Sequence, residues 1–511
     1  MSESRPPRAS APTTPKTPSE GSPAIRWLVH RLAHRCLHWS FRDVRVFGAE
    51  RIPTDGPLLL IGNHPNDLPD VLQGFFVTPR PLRYIATLSA ASSWPARKIY
   101  EGLGVIPVVR VRDARAERRK GTDMKAVNAA AGNLVAEALS AGHAVGVFPE
   151  GGVHNVPYVG KPRAGVVRML LEYPIDGAKD VTIVSFGVQY ESPHRPGSDC
   201  CAVIGRPFSL GEWRRDADQM AGQRDAESAA DPNRPRAHAA DLAATLHEAL
   251  RAVTRNAPTW SAAEARDRVI AAVAAGQGAR DPLANAIGLV CHAEALAAPD
   301  DPGSTWALPV RMQTIADDLS TAVERAGGIG TSARDHADLR GALEGTATMG
   351  AGMLWTTAPI AAAGWLVHGP VFAVVWRLAR KLAKAPVDLI ALTYLPGLYL
   401  VLIWYLMLTA LLGIGFHAGG ISAWWAVPFL LLAPRLGDWA VAWRHRWRRA
   451  RFMARVRAWP VAERQRLATA YVSLVALWTE SDPDSPPDSI KLPHQSRSAD
   501  SRSPSAGSQQ A

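Results

Sequence analysis

The amino-acid sequence predicts an α/β fold with a mostly buried sheet flanked by helices, followed by a helical region and C-terminal membrane helices. Between Val44 and Leu210, short runs rich in Val, Ile and Leu alternate with stretches of helical periodicity, as in α/β domains. Residues 211–345 are rich in Ala, Arg, Asp and Glu at helical spacing. Residues 389–434 contain no Asp, Glu, Lys or Arg, which is typical of chain that enters a membrane.

The N-terminal part divides into a polar tail and an amphipathic helix. Residues 1–24 are rich in Pro, Ser and Thr and lack an apolar stretch, so we expect a disordered tail and not a secretory signal. In residues 25–43, apolar side chains recur at helical spacing and Arg and His fill the other positions. This pattern fits a helix that lies in the membrane interface, and equally one that packs on the next domain.

Residues 44–210 are predicted to form the α/β domain. Helices are expected at Lys125–Ser140 and Gly165–Glu172, where the apolar period is helical. The polar turn around Pro53–Gly56 separates the first two strands. The predicted strands lie in the strings VRVFG, GPLLLIGNH, PLRYIATLSA, VIPVVRV, HAVGVFPE, TIVSFGVQY and CCAVIGRPF.

The C-terminal half is predicted to contain four regions. We expect residues 211–345 to form a helical subdomain, residues 346–450 a membrane segment, residues 451–480 a further helix, and residues 481–511 a disordered tail. One membrane crossing needs about 20 apolar residues, so the uncharged stretch 389–434 has room for two. Gly419 and Gly420 make the natural turn between them.

The basic residues beside the uncharged stretch predict its orientation. Arginines and lysines precede and follow it, and the positive-inside rule places both flanks on the cytoplasmic side. The stretch would then form a hairpin, with the α/β domain on the cytoplasmic face, although its short second leg, Ile421–Pro434, also fits a re-entrant helix. The earlier apolar run Met353–Trp376 contains two prolines and is expected to be monotopic or re-entrant, since a single crossing would place its basic flank outside. All three runs also fit buried helices.

The composition limits which kinds of binding partner are expected. The net charge is +11 and the isoelectric point is near 9.7, which suits nucleic acid, anionic lipid or acidic small substrates. Because the arginines cluster beside apolar segments and nucleic-acid motifs are lacking, we expect membrane lipids as partners and no nucleic acid. The four cysteines lack metal-ligand spacing, so the sequence predicts no metal site and a reducing compartment.

The string Gly62–Asp70 contains the first chemically informative residues. It follows a predicted buried strand, so His64 lies at the end of that strand, where α/β folds place reactive groups. Asp70 lies in the first turns of the following helix and can reach the imidazole. A carboxylate on one ring nitrogen supports the cation that forms when the other nitrogen takes a proton, which makes a base for a hydroxyl nucleophile. Asp67 is an alternative orienting acid. A His–Asp pair taken by itself is more simply explained as a structural histidine that is held by a hydrogen bond.

Three further polar strings follow at the ends of predicted elements. Arg110 ends the strand in GVIPVVR and is suited to a phosphate. Glu150, Gly151 and Gly152 follow a later strand, and the glycines allow a ligand to approach the backbone. Arg163 precedes the next helix and adds a possible phosphate contact. Their order and shared position at strand ends indicate one site.

In combination these strings resemble the glycerolipid acyltransferase family of the PlsC type. That family shows Asn-His…Asp, then a Gly…Arg block, then Phe-Pro-Glu-Gly, then an apolar strand. Most members have four residues between His and Asp, whereas here five separate them, in the form NHPNxxxD. This variant is similar to the branch of yeast-type glycerol-3-phosphate/dihydroxyacetone-phosphate acyltransferases and their bacterial relatives. The strings GVIPVVRVRD, FPEGGVH, AGVVRMLLE and VTRNAPTW resemble the same branch, and the resemblance covers residues 27–275.

The resemblance implies a membrane-associated acyltransferase that moves a fatty acyl group from acyl-CoA or acyl carrier protein, without a metal or redox cofactor. The acceptor hydroxyl would belong to glycerol 3-phosphate, lysophosphatidate or another lysophospholipid. His64 would be the general base and Asp70 its orienting acid. The implied substrate-binding residues are Asn63, Arg110, Glu150, Gly151, Gly152 and Arg163. Attack on the thioester would be direct, because no Ser or Cys lies in the motif.

This chain departs from the family at two places. Ser185–Phe186 stands where the fourth block usually has Pro, and Arg163 replaces the Lys expected before the helix. Two other functions stay open. A metal-dependent hydrolase would use His64, Asp67 and Asp70 but lacks a second His cluster. A non-catalytic membrane-surface scaffold would need only the basic flanks, the amphipathic helix and the hairpin.

Overall fold

A computed structural model describes residues 21–91, 94–119, 121–154, 156–175, 180–192, 195, 197–224, 234–296, 308–346, 351–383 and 388–481. The predicted disordered tails, 1–24 and 481–511, lie outside the described residues except for 21–24 and Ser481.

Eight strands form one mixed sheet, and with the surrounding helices they confirm the predicted α/β class. The strands are β1 (Asp43–Phe47), β2 (Leu58–Gly62), β3 (Leu82–Thr87), β4 (Ile106–Val108), β5 (Ala144–Val147), β6 (Thr182–Tyr190), β7 (Asp199–Ile204) and β8 (Phe208–Ser209). Their order is β1-β7-β6-β2-β5-β3-β4, with β8 paired to β6. The strands β2 to β6 are mutually parallel, whereas β7 and β8 run antiparallel to β6. The carboxyl ends of β2, β4 and β5 therefore lie at one edge.

Sixteen α-helices surround or follow the sheet in the described parts of the chain. Those before and between the strands are α1 (Pro23–Ser40), α2 (Leu68–Val77), α3 (Trp94–Leu103), α4 (Ala114–Arg119), α5 (Met124–Ser140) and α6 (Ala164–Glu172). Those after the sheet are α7 (Leu210–Arg224), α8 (Arg234–Arg251), α9 (Trp260–Gly276), α10 (Pro282–Leu296), α11 (Val310–Ala326), α12 (Ala333–Glu344), α13 (Ala351–Leu382), α14 (Asp388–Ala418), α15 (Val427–Arg457) and α16 (Val461–Ser481).

The α/β domain is larger than predicted, because α8 packs on the sheet. Leu242, Leu246 and Leu250 are spaced four residues apart, so they share one face of α8. All three are fully buried in the core that contains Leu59 of β2 and Ile183 of β6. The sequence prediction placed α8 in a separate helical subdomain. The apolar face that these leucines form must be buried, and α8 buries it against the sheet.

A second core lies in a bundle built from α9 to α12, the C-terminal end of α15, and α16. Tyr471 and Leu474 of α16 are buried against α9 residues such as Val273. The predicted helix 451–480 is in fact two helices, since α15 continues to Arg457 and α16 begins after Pro460. A proline lacks the amide hydrogen that a continuing helix would donate, which explains the break.

Two helices, Gly352–Leu382 and Leu392–Ala418, are long and apolar enough to cross a membrane. Only 28% and 18% of their most apolar windows are buried, so most of this apolar surface faces outward, which supports membrane association. The stretch 353–376 was expected to be monotopic or re-entrant, but the chain does not turn back within it. Its prolines lie inside one continuous helix, each removing a single backbone hydrogen bond without ending the helix. The predicted second leg of the hairpin is the beginning of α15.

Helix α1 packs on the α/β domain while part of it stays exposed. Ser22 caps its first turn by accepting a hydrogen bond from the amide of Ile25 at 3.5 Å. Ala33 and Leu37 are buried in a cluster with Leu72 of α2. Trp27 nevertheless remains 62% exposed. The sequence left open whether this helix packs on the next domain or lies in the membrane interface. The structure shows that it packs on the domain, and the exposed tryptophan is also suited to a lipid surface.

A buried ion network joins the α/β domain to the helical bundle. The Arg42 guanidinium donates to both oxygens of Asp199 in β7, at 2.8 and 3.0 Å, and to Asp335 of α12 at 2.6 Å. Arg334 donates to Asp199 at 3.1 Å. The Glu191 carboxylate lies 3.7 Å from Arg42. Its burial, together with the Asp199 charge, raises the pKa of Glu191 from its ordinary 4.5 to about 7, despite the opposing effect of Arg42.

Substitution of Glu191 by Gln should remove part of the pH dependence of stability. Because the folded state binds the Glu191 proton more tightly than the unfolded state does, the free energy of unfolding falls as the pH rises from 4.5 to about 7. The expected loss in the native sequence is about 2 kcal/mol or more, and Glu191→Gln should flatten it. Thermal unfolding of both proteins at pH 5 to 8 checks this. Glu101→Gln, at an exposed pair with Lys98, is the control, and equal slopes for all three proteins would contradict the prediction.

Candidate active site

His64 lies at the carboxyl end of β2, on the loop that leads into α2. The preceding residue, Asn63, fastens this loop to the neighbouring strand β6. Its side-chain amide donates to the Val188 carbonyl at 3.1 Å and its carbonyl oxygen accepts from the Val188 amide at 2.6 Å. Asn63 thus continues the sheet pairing with its side chain, and its role in substrate binding stays a prediction.

The Asp70 carboxylate holds the His64 imidazole. Asp70 Oδ2 lies 2.9 Å from His64 Nδ1 and accepts from the Asn66 amide at 2.7 Å. Asp70 Oδ1 accepts from the Tyr190 hydroxyl, at the end of β6, at 2.6 Å. Complete burial raises the pKa of Asp70, and the hydrogen bonds from His64, Tyr190 and Asn66 act in the opposite direction. The carboxylate is therefore fixed by donors from three positions in the chain.

Asp67 does not take the role of orienting acid. Its backbone, at φ 52° and ψ −119°, is strained for a residue with a side chain, and it is the one non-glycine residue with positive φ in the described chain. The Asp67 carbonyl accepts from the Asp70 amide at 3.2 Å. The turn at Asp67 thus starts α2 at the point that brings Asp70 back to His64.

Phe148 and Glu150 support His64 from the end of β5. The imidazole stacks on the Phe148 ring, with 4.2 Å between ring centroids and 12° between planes. Phe148 in turn stacks on Tyr84 of β3 at 5.7 Å. The His64 amide donates to Glu150 Oε1 at 2.9 Å. Both the ring and the backbone of His64 are therefore fixed before any ligand is present.

Glu150 is buried and fully occupied with protein contacts. Its Oε2 accepts from the Gly160 amide at 2.6 Å and also contacts His154 Nε2. The hydrogen bond to Glu150 raises the pKa of His154. The Glu150 carbonyl accepts from Arg163 Nε at 3.0 Å. Glu150 therefore shapes the loop after β5 and links it to His64, and its contact with substrate stays a prediction.

Three arginines surround the turn formed by Gly151 and Gly152. A β-carbon placed on Gly152 would lie 3.8 Å from Arg110 Nη1 and 3.6 Å from Arg112 Nη1. One placed on Gly151, which has φ +74°, would lie 3.0 Å from Arg163 Cγ. Side chains at these two positions would fill the space that the guanidinium groups approach. Arg110 is held by Asp113, which accepts from its Nε at 2.8 Å.

The structure brings all eight predicted site residues to one edge of the sheet. Asp70 and Glu150 contact His64 directly, and the Glu150–Gly152 turn carries the contact onward to Arg110 and Arg163. Sequence reasoning missed Tyr190, which lies 120 residues after Asp70. It also missed the support from Phe148 and the proximity of Arg112. The strings that contain these residues were recognised, but no sequence signal pairs Tyr190 with Asp70.

The arrangement is suited to proton abstraction beside an anion. Within the described residues His64 Nε2 has no hydrogen-bond partner, and the side chain is 13% exposed, so a ligand can reach this nitrogen. Cys200 and Cys201 are buried in β7, and burial raises the pKa of Cys200, which makes it a poor nucleophile. Across the described chain no three His, Cys, Asp or Glu side chains form a group that can hold a metal.

Comparison with known proteins identifies the domain. The family model described as Acyltransferase matches residues 43–189, from β1 to β6. No curated protein matches the chain. A solved structure, the 1-acyl-sn-glycerophosphate acyltransferase PlsC from Thermotoga maritima, is 17% identical, and the alignment covers 43% of this chain and 76% of that chain with a TM-score of 0.28. The family match alone places an acyltransferase domain at residues 43–189.

Substitution of Asp67 by Gly should stabilise the protein. Glycine adopts positive φ without the steric cost that a β-carbon imposes, so the free energy of unfolding should rise by about 1 kcal/mol. Asp67→Ala removes the same carboxylate but keeps the β-carbon, so it should give no such gain. Thermal unfolding of the three proteins in one detergent measures the difference. An Asp67→Gly protein no more stable than Asp67→Ala would show that the backbone at this position is not strained.

Proposed function

We propose that this protein transfers a fatty acyl group from acyl-CoA or acyl carrier protein to a hydroxyl of glycerol 3-phosphate or lysophosphatidate in phospholipid biosynthesis. One observation carries the proposal. A histidine oriented by a buried carboxylate is joined, through the Glu150–Gly152 turn, to three arginines. A base for a hydroxyl and a cluster of cations for a phosphate are what such an acceptor requires.

The reaction needs one proton carrier. His64 Nε2 takes the proton of the acceptor hydroxyl as the oxygen attacks the thioester carbonyl carbon. Asp70, on Nδ1, stabilises the imidazolium that forms. When the tetrahedral intermediate collapses, the carbon–sulfur bond breaks and the thiolate leaves with the proton returned by His64. The acyl group ends as an ester on the acceptor oxygen, and the carrier is released as a thiol.

Arg110, Arg112 and Arg163 would hold the acceptor phosphate. Guanidinium groups bind phosphate oxygens with two parallel hydrogen bonds, and the glycine turn leaves space for the phosphate between them. Arg112 is 63% exposed, so it is available to a ligand at the mouth of the site. The resemblance to the yeast-type branch favours glycerol 3-phosphate as acceptor, with lysophosphatidate as the second choice.

The membrane would supply or receive the lipid. The helices Gly352–Leu382 and Leu392–Ala418 anchor the protein, and the basic residues that border them favour a cytoplasmic position for the catalytic domain. Helix α1 contacts α2, which carries Asp70. Its exposed Trp27 would bring the site close to the lipid surface.

The first experiment measures thiol release from palmitoyl-CoA by the detergent-purified protein, with glycerol 3-phosphate or lysophosphatidate as acceptor. Release should require an acceptor and should fall at least a thousandfold in His64→Ala, because the reaction loses its base. His143→Ala, at the opposite end of β5, is the matched control and should keep full activity. Folded protein that is inactive with both acceptors, and also with acyl carrier protein as donor, would instead favour a non-catalytic scaffold.

Substitution of Arg110 by Ala should weaken acceptor binding more than it slows the reaction. We expect the KM for the phosphate-bearing acceptor to rise about tenfold or more, since a charge-assisted hydrogen bond contributes roughly 1.5–3 kcal/mol. Arg168→Ala, at a surface pair with Glu172, is a control of equal charge change. Steady-state kinetics with varied acceptor separates KM from kcat. An unchanged KM for the acceptor would show that Arg110 does not bind the acceptor phosphate.

A further inference from the structure

A basic stretch of α15 lies between the apolar helices and the rest of the protein. Arg444, His445, Arg446 and Arg448 follow directly on the part of α15 that packs against α13. Trp443 donates from its indole to the Leu354 carbonyl of α13 at 3.0 Å, which fixes the register between these helices. Farther along, Phe452 and Met453 are buried in the helical bundle.

Several side-chain nitrogens in this stretch, most of them on arginines, are buried without a partner. Arg444 Nε and Nη2, His445 Nε2 and Arg446 Nη1 all lack a hydrogen-bond partner among the described residues. Arg449, only a few residues on, donates to Asp338 at 2.9 Å. Buried donors with no acceptor are costly, and most for charged groups, so this concentration on one helix is unlike an ordinary solvated basic face.

The groups that face this stretch are themselves basic, aromatic or already paired. The Arg444 guanidinium lies 6.0 Å from the Trp365 ring of α13. A β-carbon placed on Gly197 would lie 3.1 Å from Arg448 Nη1 and 3.4 Å from His445 Cε1. Asp199, the nearby acid, is already bound by Arg42 and Arg334. Burial and the Arg448 charge lower the pKa of Arg444. An acceptor for these donors must therefore come from outside the described protein.

We propose that Arg444 and Arg448, which lie one helical turn apart on the same face of α15, bind the phosphate of an anionic membrane phospholipid, at a site separate from His64. Charge complementarity requires an anion, and the neighbouring helix indicates that the anion carries acyl chains. Trp365 belongs to the apolar helix Gly352–Leu382, whose Trp355 and Leu366 are 76% and 80% exposed. Basic pockets beside membrane helices on the cytoplasmic side are suited to phosphate headgroups. The site requires no acyl transfer, so it stands or fails independently of the proposed reaction.

Thermal unfolding of the full chain in dodecyl maltoside tests the site, with added dioleoyl phosphatidylglycerol, dioleoyl phosphatidylcholine or inorganic phosphate. Phosphatidylglycerol should raise the unfolding temperature in a saturable manner and phosphatidylcholine should not. Arg444→Gln/Arg448→Gln should weaken the apparent affinity for phosphatidylglycerol about tenfold or more. Arg448→Gln, at an exposed residue, is a second variant in case the double variant does not fold. Arg451→Gln, with the same charge change as Arg448→Gln and on the same helix, should respond like the native protein, as should His64→Ala.

Three results would overturn the proposal. The first is an equal response of the native protein to phosphatidylglycerol and phosphatidylcholine. The second is an unchanged response to phosphatidylglycerol in both Arg448→Gln and the double variant. The third is a full response to millimolar inorganic phosphate alone, which would indicate a site for a free anion instead of a lipid.

Discussion

The position of His64 depends on the buried carboxylate of Asp70. Its two oxygens accept from the His64 ring, the Asn66 amide and the Tyr190 hydroxyl. A buried carboxylate is stable only when such donors replace water, so His64, Asn66 and Tyr190 together compensate for the burial of Asp70. The strained turn at Asp67, the start of α2 and the end of β6 all serve this single group, since each supplies a donor or sets the angle at which Asp70 returns to His64.

A second buried carboxylate, which is paired with arginines, joins the α/β domain to the helical bundle. Asp199 is fully buried and accepts from Arg42 and Arg334, so the end of the sheet is tied to α12 of the helical bundle by charge. Such a network gives directional contacts where apolar packing alone does not fix the angle between domains. The basic stretch of α15 begins beside this network but lacks acids of its own. The arginines of the junction are paired with acids, whereas those of the α15 stretch are the ones for which we propose an anionic lipid as partner.

The apolar helices show how outward-facing hydrophobic surface constrains the location of the protein. In helix 392–418 most of the apolar side chains face away from the rest of the protein. Exposure of an apolar surface of this size to water is unfavourable, whereas its exposure to lipid is not. Because α14 also contacts α2, the helix that carries Asp70, the apolar helices and the α/β domain are in physical contact.

The sequence by itself determined the fold class, the strand-end position of the His64, Arg110 and Glu150 strings, and the apolar helices, because these depend on local periodicity and on parallel strands ending at one edge. It left open whether Asp67 or Asp70 lies on His64, since both spacings permit contact. Only the tertiary structure decided that, placed Tyr190 on Asp70 and moved α8 onto the sheet. It also showed 353–376 as one helix. The positions of Tyr190 and α8 depend on segments far apart in the chain, and local pattern carries no information about which distant surface will bury a given side chain.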